Sequence, residues 1–172
     1  MKNRLYLQSK TDIPMKEDSY MYNSVTVARF IAASMNERKL AINMTKLQKL
    51  LYIAYGTCLN VTGKRLTDEH PQAWPYGPVF PTTRNRLLKE CLSEIRLSDN
   101  SLAEIREDRS TQSLVKIVID AYGAMYATTL SEWSHREGSP WYETVHSPGF
   151  KWGNVIPDIL ISGYFSKIVK KQ

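Results

Sequence analysis

The sequence predicts a mainly α-helical fold, a compact single-domain bundle of about six helices. Three observations predict it. The 172 residues suit one domain, and 42% of them are hydrophobic, enough for one core. Most of the eight Gly and eight Pro fall in two clusters, Gly63 to Pro81 and Gly138 to Pro157. Outside these clusters, apolar residues recur at i, i+3 and i+4, the spacing of a helix face.

The first helix is expected after Asn23-Ser24, whose side chains can accept from free N–H groups of a first turn. Val27, Phe30, Ile31 and Met35 form its apolar face, and it ends near 36–39. The second follows Asn43 and stops at Gly63, which suits a left-handed C-cap. Leu47, Leu50, Leu51, Ala54, Tyr55 and Cys58 make one stripe, with Lys46, Gln48 and Lys49 on the other side.

Residues 63–78 read as an ordered loop, because three prolines and a glycine stand among Trp74 and Tyr76. A third helix begins at 79–81, where proline is tolerated, and continues through Leu87, Leu88, Cys91 and Leu92. The polar stretch after it allows one β element, a hairpin around 94–106 that turns at Asp99-Asn100.

Residues 113–126 predict a fourth helix, with Leu114, Ile117, Val118, Ala121, Tyr122 and Met125 on one face. A short fifth spans 130–136, capped by Thr128 or Thr129, and Pro140-Trp141 begins another turn. Pro157 opens the last helix, with Ile159, Leu160, Gly163, Tyr164 and Ile168 available for burial. The expected organisation is an N-terminal arm over 1–22 and a domain over 23–170.

Charge divides unevenly. Residues 1–91 hold 14 basic and 7 acidic side chains, a net of +7, and residues 92–172 hold 9 and 10, a net of −1. A basic half suits an anionic partner: nucleic acid, an acidic protein surface or a phosphate-rich ligand. No run of about 18 apolar residues is present to span a membrane. The basic first ten residues have no apolar core behind them, so they do not read as a secretory signal. Cys58 and Cys91 lack CxxC spacing and read as reduced thiols of a cytoplasmic protein.

Chemical motifs are sparse, and no catalytic residue, metal or cofactor is assigned. Gly56 and Gly63-Lys64 do not have phosphate-loop spacing, and Arg65 stands where that loop needs a hydroxyl. Glu132-x-x-His135 puts a carboxylate and an imidazole on one helix face, but a di-iron bundle needs that element twice. There is no GxSxG elbow, and Cys58 sits on an apolar stripe, where thiols are inert. The first two helices could form a helix-turn-helix in which Lys46, Gln48 and Lys49 face a groove, although the connection lacks the usual glycine.

The stretch Thr45-Lys-Leu-Gln-Lys-Leu-Leu-Tyr-Ile-Ala-Tyr-Gly56, followed by Ala73-Trp-Pro-Tyr-Gly-Pro-Val79, resembles the Panacea family, also described as SocA-like antitoxins or phage-associated GepA-like proteins. Leu130-Ser-Glu-Trp-Ser-His135 with Pro140-Trp141 is similar to that family's second signature. The likeness covers about 24–168. Its signature positions here are Lys46, Leu47, Gln48, Lys49, Leu50, Leu51, Tyr52, Trp74, Tyr76, Gly77, Pro78, Val79, Leu130, His135 and Trp141. Trp133 inside the second signature and the Gly- and aromatic-rich tail after Trp141 depart from the family pattern, which bears on partner choice.

The resemblance implies a helical antitoxin of a type II-like pair. It would neutralise a cognate protein toxin by direct binding, with the toxin often encoded by the adjacent gene. One branch of the family acts as an adaptor that delivers its toxin to a protease. On this reading Leu47, Leu50, Leu51, Trp74, Tyr76 and Trp141 are scaffold, and Gly77-Pro78 sets the turn into the third helix. The partner would meet exposed Lys46, Lys49, Arg65, Arg84 and Arg86. The alternative is a DNA-binding, transcription-regulating module resting on the basic half.

Overall fold

The computed structural model describes residues 5–7 and 21–171. The expected arm over 1–22 lies outside these residues except for Leu5–Leu7 and Met21-Tyr22. The fold is mainly α: among the described residues there are eight α-helices, one antiparallel hairpin and one short parallel strand pair.

Helix α1 spans Ser24–Glu37 and α2 spans Met44–Thr62. Both start on the expected asparagines. Asn23 accepts from the Val25 N–H, and Asn43 accepts from the Lys46 N–H. Gly63 ends α2 at φ +72°, a conformation that a Cβ would strain.

Helix α2 is the axis of the domain. It packs against α1 and, further along the chain, α5 (Arg109–Tyr122), α6 (Ala127–Ser134) and α8 (Asp158–Ile168). It is buried on every face from Lys46 to Thr57, not on one stripe as the periodicity predicts. The supposed polar face is satisfied internally. Lys46 Nζ donates to the Ala41 carbonyl, and Lys49 and Gln48 bond to backbone farther along the chain. Gly56 lets α8 approach closely, because a Cβ there would run into the Phe165 ring.

The 63–78 loop is ordered, and its end forms a hairpin. Strand β2 (Gln72–Trp74) pairs antiparallel with β3 (Gly77–Val79), with Trp74 opposite Gly77 and Pro75-Tyr76 as the two-residue turn. Two carboxylates from the same loop hold helix starts. Asp68 accepts from the Ser24 N–H of α1. Glu69 accepts from Ser24 Oγ and from Thr82 and Thr83 at the start of α3 (Pro81–Leu87).

Helix α3 stops at Leu87, short of the predicted Leu92, and Leu88 is exposed. The hairpin expected around 94–106 is absent. That stretch instead forms 3₁₀ turns at Leu92–Glu94 and Asn100–Leu102 and the short helix α4 (Ala103–Glu107). Leu102 and Ile105, three apart, both bury, which is a helical spacing. Side-chain donors replace a strand ladder. Asn36 Nδ2 donates to the Leu92 and Ile95 carbonyls, Arg106 donates to the Leu97 and Asp99 carbonyls, and Arg29 pairs with Glu90 and Asp99.

Helix α5 starts four residues before its predicted point. Asp108 caps it, accepting from Ser110 and Thr111 and from the Tyr22 hydroxyl at 2.6 Å. Thr128 and Thr129 lie inside α6 and do not cap it. Helix α7 spans Pro140–Val145, with Ser139 as its cap. In α8 the buried residues are Ile161 and Phe165, whereas Ile159 is 79% exposed. The predicted face is therefore rotated, because the tight fit of Phe165 against Gly56 sets the helix orientation. Strand β4 (Val169–Lys171) pairs in parallel with β1 (Leu5–Leu7).

Candidate functional site

The residues singled out in the sequence converge on the backbone of the β2–β3 hairpin. A two-residue turn leaves several carbonyls without ladder partners, and each must be satisfied if it is to be buried. Trp141 Nε1 of α7 donates to the Trp74 carbonyl at 2.9 Å. The His135 ring, just past α6, places Nε2 3.1 Å from the Pro75 carbonyl and Nδ1 2.6 Å from the Ser131 carbonyl. Ser131 Oγ reaches the Tyr76 carbonyl at 3.4 Å. From α2, Lys49 Nζ donates to the Pro78 carbonyl at 3.0 Å, and Gln48 Oε1 accepts from the Phe80 N–H at 2.7 Å. Three helices thus grip five consecutive or near-consecutive backbone groups.

The grip is closely packed. At Gly77, φ is +100°, and a Cβ would lie 2.6 Å from Ser134 Oγ and 2.9 Å from Lys49 Cε. Lys49 is 1% exposed, and burial pushes its ammonium down to about 7. The His135 ring meets Trp141 edge-on with centroids 4.1 Å apart. Ser139 Oγ donates to the Ser134 carbonyl, which ties α7 to α6.

Most signature residues are interior. Leu47, Leu50, Leu51, Tyr52 and Leu130 lie in the core, and Val79 and Trp141 are buried beside it. Trp74 is half-buried, with its indole N–H on Gln72 and the Arg84 guanidinium 5.7 Å above its ring. Tyr76, expected as scaffold, is 80% exposed at the turn, and only its backbone is held.

The expected surface cations divide. Lys46 and Lys49 are buried and bonded to carbonyls, so they offer no exposed charge. The groove-facing triad of a helix-turn-helix therefore does not exist, because Gln48 is buried with them. Arg65 is engaged with Asp158 at 2.8 Å, and the same carboxylate accepts from Tyr55 Oη. Arg84 stacks on Trp74, and Arg86 is exposed.

Other chemistry finds little support in the geometry. Burial pushes the Cys58 thiol up to about 11, and its neighbours are Thr62 and the Lys64 carbonyl. Both His135 ring nitrogens face carbonyl oxygens, so the Glu132-x-x-His135 pair presents no free imidazole nitrogen. Among the described residues no helix is long and apolar enough to cross a membrane.

Sequence reasoning did not single out Ser131 or Ser134, and it marked Phe150 and Trp152 only as part of the Gly- and aromatic-rich tail after Trp141. Trp152 is 57% exposed, its ring 6.4 Å from Trp141 and 5.0 Å from Phe150. Its loop runs beside β2 through Gly153 N–H to the Ala73 carbonyl and Ala73 N–H to the Asn154 carbonyl. The run Gly149-Phe-Lys-Trp-Gly153 was the available signal, since glycines bracket two aromatics on a loop.

The family model described as "Antitoxin SocA-like, Panacea domain" matches residues 47–142. That span holds all of the grip, from Gln48 to Trp141. Antitoxin SocA of Caulobacter vibrioides (strain NA1000 / CB15N) is 27% identical over 153 residues, covering 81% of this chain and 79% of that protein. No solved structure matches the chain.

Proposed function

The chain belongs to the SocA-like Panacea domain family, and from that premise we propose that it is an antitoxin that neutralises a cognate toxin by binding it directly. The family match across 47–142 carries this reading. The arrangement of polar groups supports it. Lys49, Gln48, Ser131, His135 and Trp141 bond to the protein's own hairpin backbone, so their work is to hold a shape. A rigid surface formed in this way suits recognition of a folded partner.

Co-expression tests the reading. The product of the adjacent gene is induced with and without this protein, and growth and co-purification are followed. Rescue together with a stoichiometric complex is expected. Toxicity that persists at full antitoxin expression, with no complex recovered, overturns the proposal. Repeating the rescue in protease-deficient cells separates two mechanisms. Direct blocking survives there, and delivery to a protease does not.

A further inference from the structure

We infer that the toxin docks on an aromatic strip running from the hairpin tip to the 149–153 loop, and that the docking surface of the toxin is acidic. This rests on the antitoxin reading above. The strip is linked contact by contact. Tyr76 and Pro75 form the turn, His135 binds Pro75 and abuts Trp141, Trp141 binds Trp74 and neighbours Trp152, and Trp152 meets Phe150. Tyr76 and Trp152 are its exposed rings, whereas Trp141 between them is buried and supports them from beneath. Exposed Tyr and Trp held on rigid backbone are the side chains that dominate protein interfaces, because they bury large area at small entropic loss.

Charge selects the occupant. Arg29, Arg38 and Arg65 are paired with carboxylates, and Arg96 and Arg106 donate to carbonyls. Several described cations, Arg86 and Lys89 among them, have no acidic side chain within ion-pair distance, and two of these lie at the strip: Arg84, stacked on Trp74, and Lys151, next to Trp152. A carboxylate from the partner would complete each. The strip is therefore a rigid aromatic platform edged by two free cations, which fits an apolar segment of the toxin that also bears Asp or Glu.

The test measures affinity for the purified product of the adjacent gene. Tyr76→Ala and Trp152→Ala should each weaken binding about thirtyfold. Arg84→Glu should weaken it further and flatten its salt dependence. Tyr126→Ala is the control, since Tyr126 is also 80% exposed but lies outside the strip, at the start of α6. Unchanged melting curves show that the variants are folded. Wild-type affinity in Tyr76→Ala and Trp152→Ala, or an equal loss in Tyr126→Ala, overturns the docking site while the antitoxin reading stands. A wild type that binds no toxin removes both. If the strip variants keep the toxin but lose a nucleic-acid oligomer or a self-dimer, the strip serves that occupant instead and the inference fails.

Discussion

The Lys49 ammonium, fully enclosed by the fold, donates to the Pro78 carbonyl 29 residues away at 3.0 Å. A buried cation with one carbonyl partner is costly to desolvate, and the fold accepts that cost at the point where α2 meets the hairpin. The placement joins the two halves of the first family signature: one contributes the amine and the other the acceptor.

Lys49 makes stability depend on pH. Burial lowers its pKa from 10.5 to about 7 in the folded state, so between those values the unfolded chain binds more protons than the folded one. Stability must therefore rise with pH across that interval. From pH 7 to 9 the gain should be about 2 kcal/mol. Lys46 is shifted in the same direction by burial and adds to the slope. The raised pKa of Cys58 opposes it from about 8 upward, where the unfolded thiol begins to ionise, and takes only a small part of the gain by pH 9. Lys49→Met should flatten most of the rise. Urea midpoints measured at pH 7, 8 and 9 for both proteins check this, and an equal slope in the variant would refute it.

Gly77→Ala should cost about 3 kcal/mol. The position combines φ +100° with Ser134 Oγ and Lys49 Cε where a Cβ would sit. An alanine strains the backbone and pushes two gripping helices away from the turn. Thermal unfolding reads this as a drop of roughly 10 °C for a domain of this size. Gly138→Ala is the comparison, because its φ of +77° is similar but nothing lies within 4 Å of its would-be Cβ. It should lose less, by the share due to packing at Gly77.

Tyr52→Phe should leave stability unchanged or raise it by about 1 kcal/mol. The Tyr52 ring packs edge-on against Phe165 at 5.8 Å, but its buried hydroxyl has no hydrogen-bond partner. Phenylalanine keeps the ring contact and removes an unsatisfied polar atom. A loss above 1 kcal/mol in chemical denaturation would show that the hydroxyl does have a role.

How legible each part was depended on the distance between partners. The ends of α2 were readable because Asn43 and Gly63 act within one turn of themselves. The burial of Gln48 and Lys49 was not, because their donor and acceptor lie 32 and 29 residues away, and a lysine opposite a leucine stripe ordinarily faces water. The β2–β3 strands hid behind Pro75 and Pro78, which suppress a strand reading even where a two-residue turn brings three-residue strands together. The grip was half visible. Its residues stood out by family resemblance, but their roles as backbone donors depend on which carbonyl each one meets. Tyr76 was misread as scaffold for the same reason, since the hairpin holds its carbonyl and leaves its ring in solvent.

Gly56→Ala tests the close contact between α2 and α8. Alanine is the better helix former by up to about 1 kcal/mol, so an exposed site would gain stability. Here the new Cβ overlaps the Phe165 ring, which cannot swing away because Tyr52, Trp133 and Tyr164 surround it at 5.8 to 6.3 Å between centroids. Overpacking of this kind costs about 1–3 kcal/mol, so a net loss of about 2 kcal/mol is expected. Phe165→Leu alone should also destabilise, by leaving a cavity. The double variant should lose clearly less than the two singles together, because the smaller side chain makes room for the methyl. Urea denaturation of the four proteins measures the coupling. Strict additivity would mean that α8 moves away from α2 as a body, and that Phe165 does not set its position.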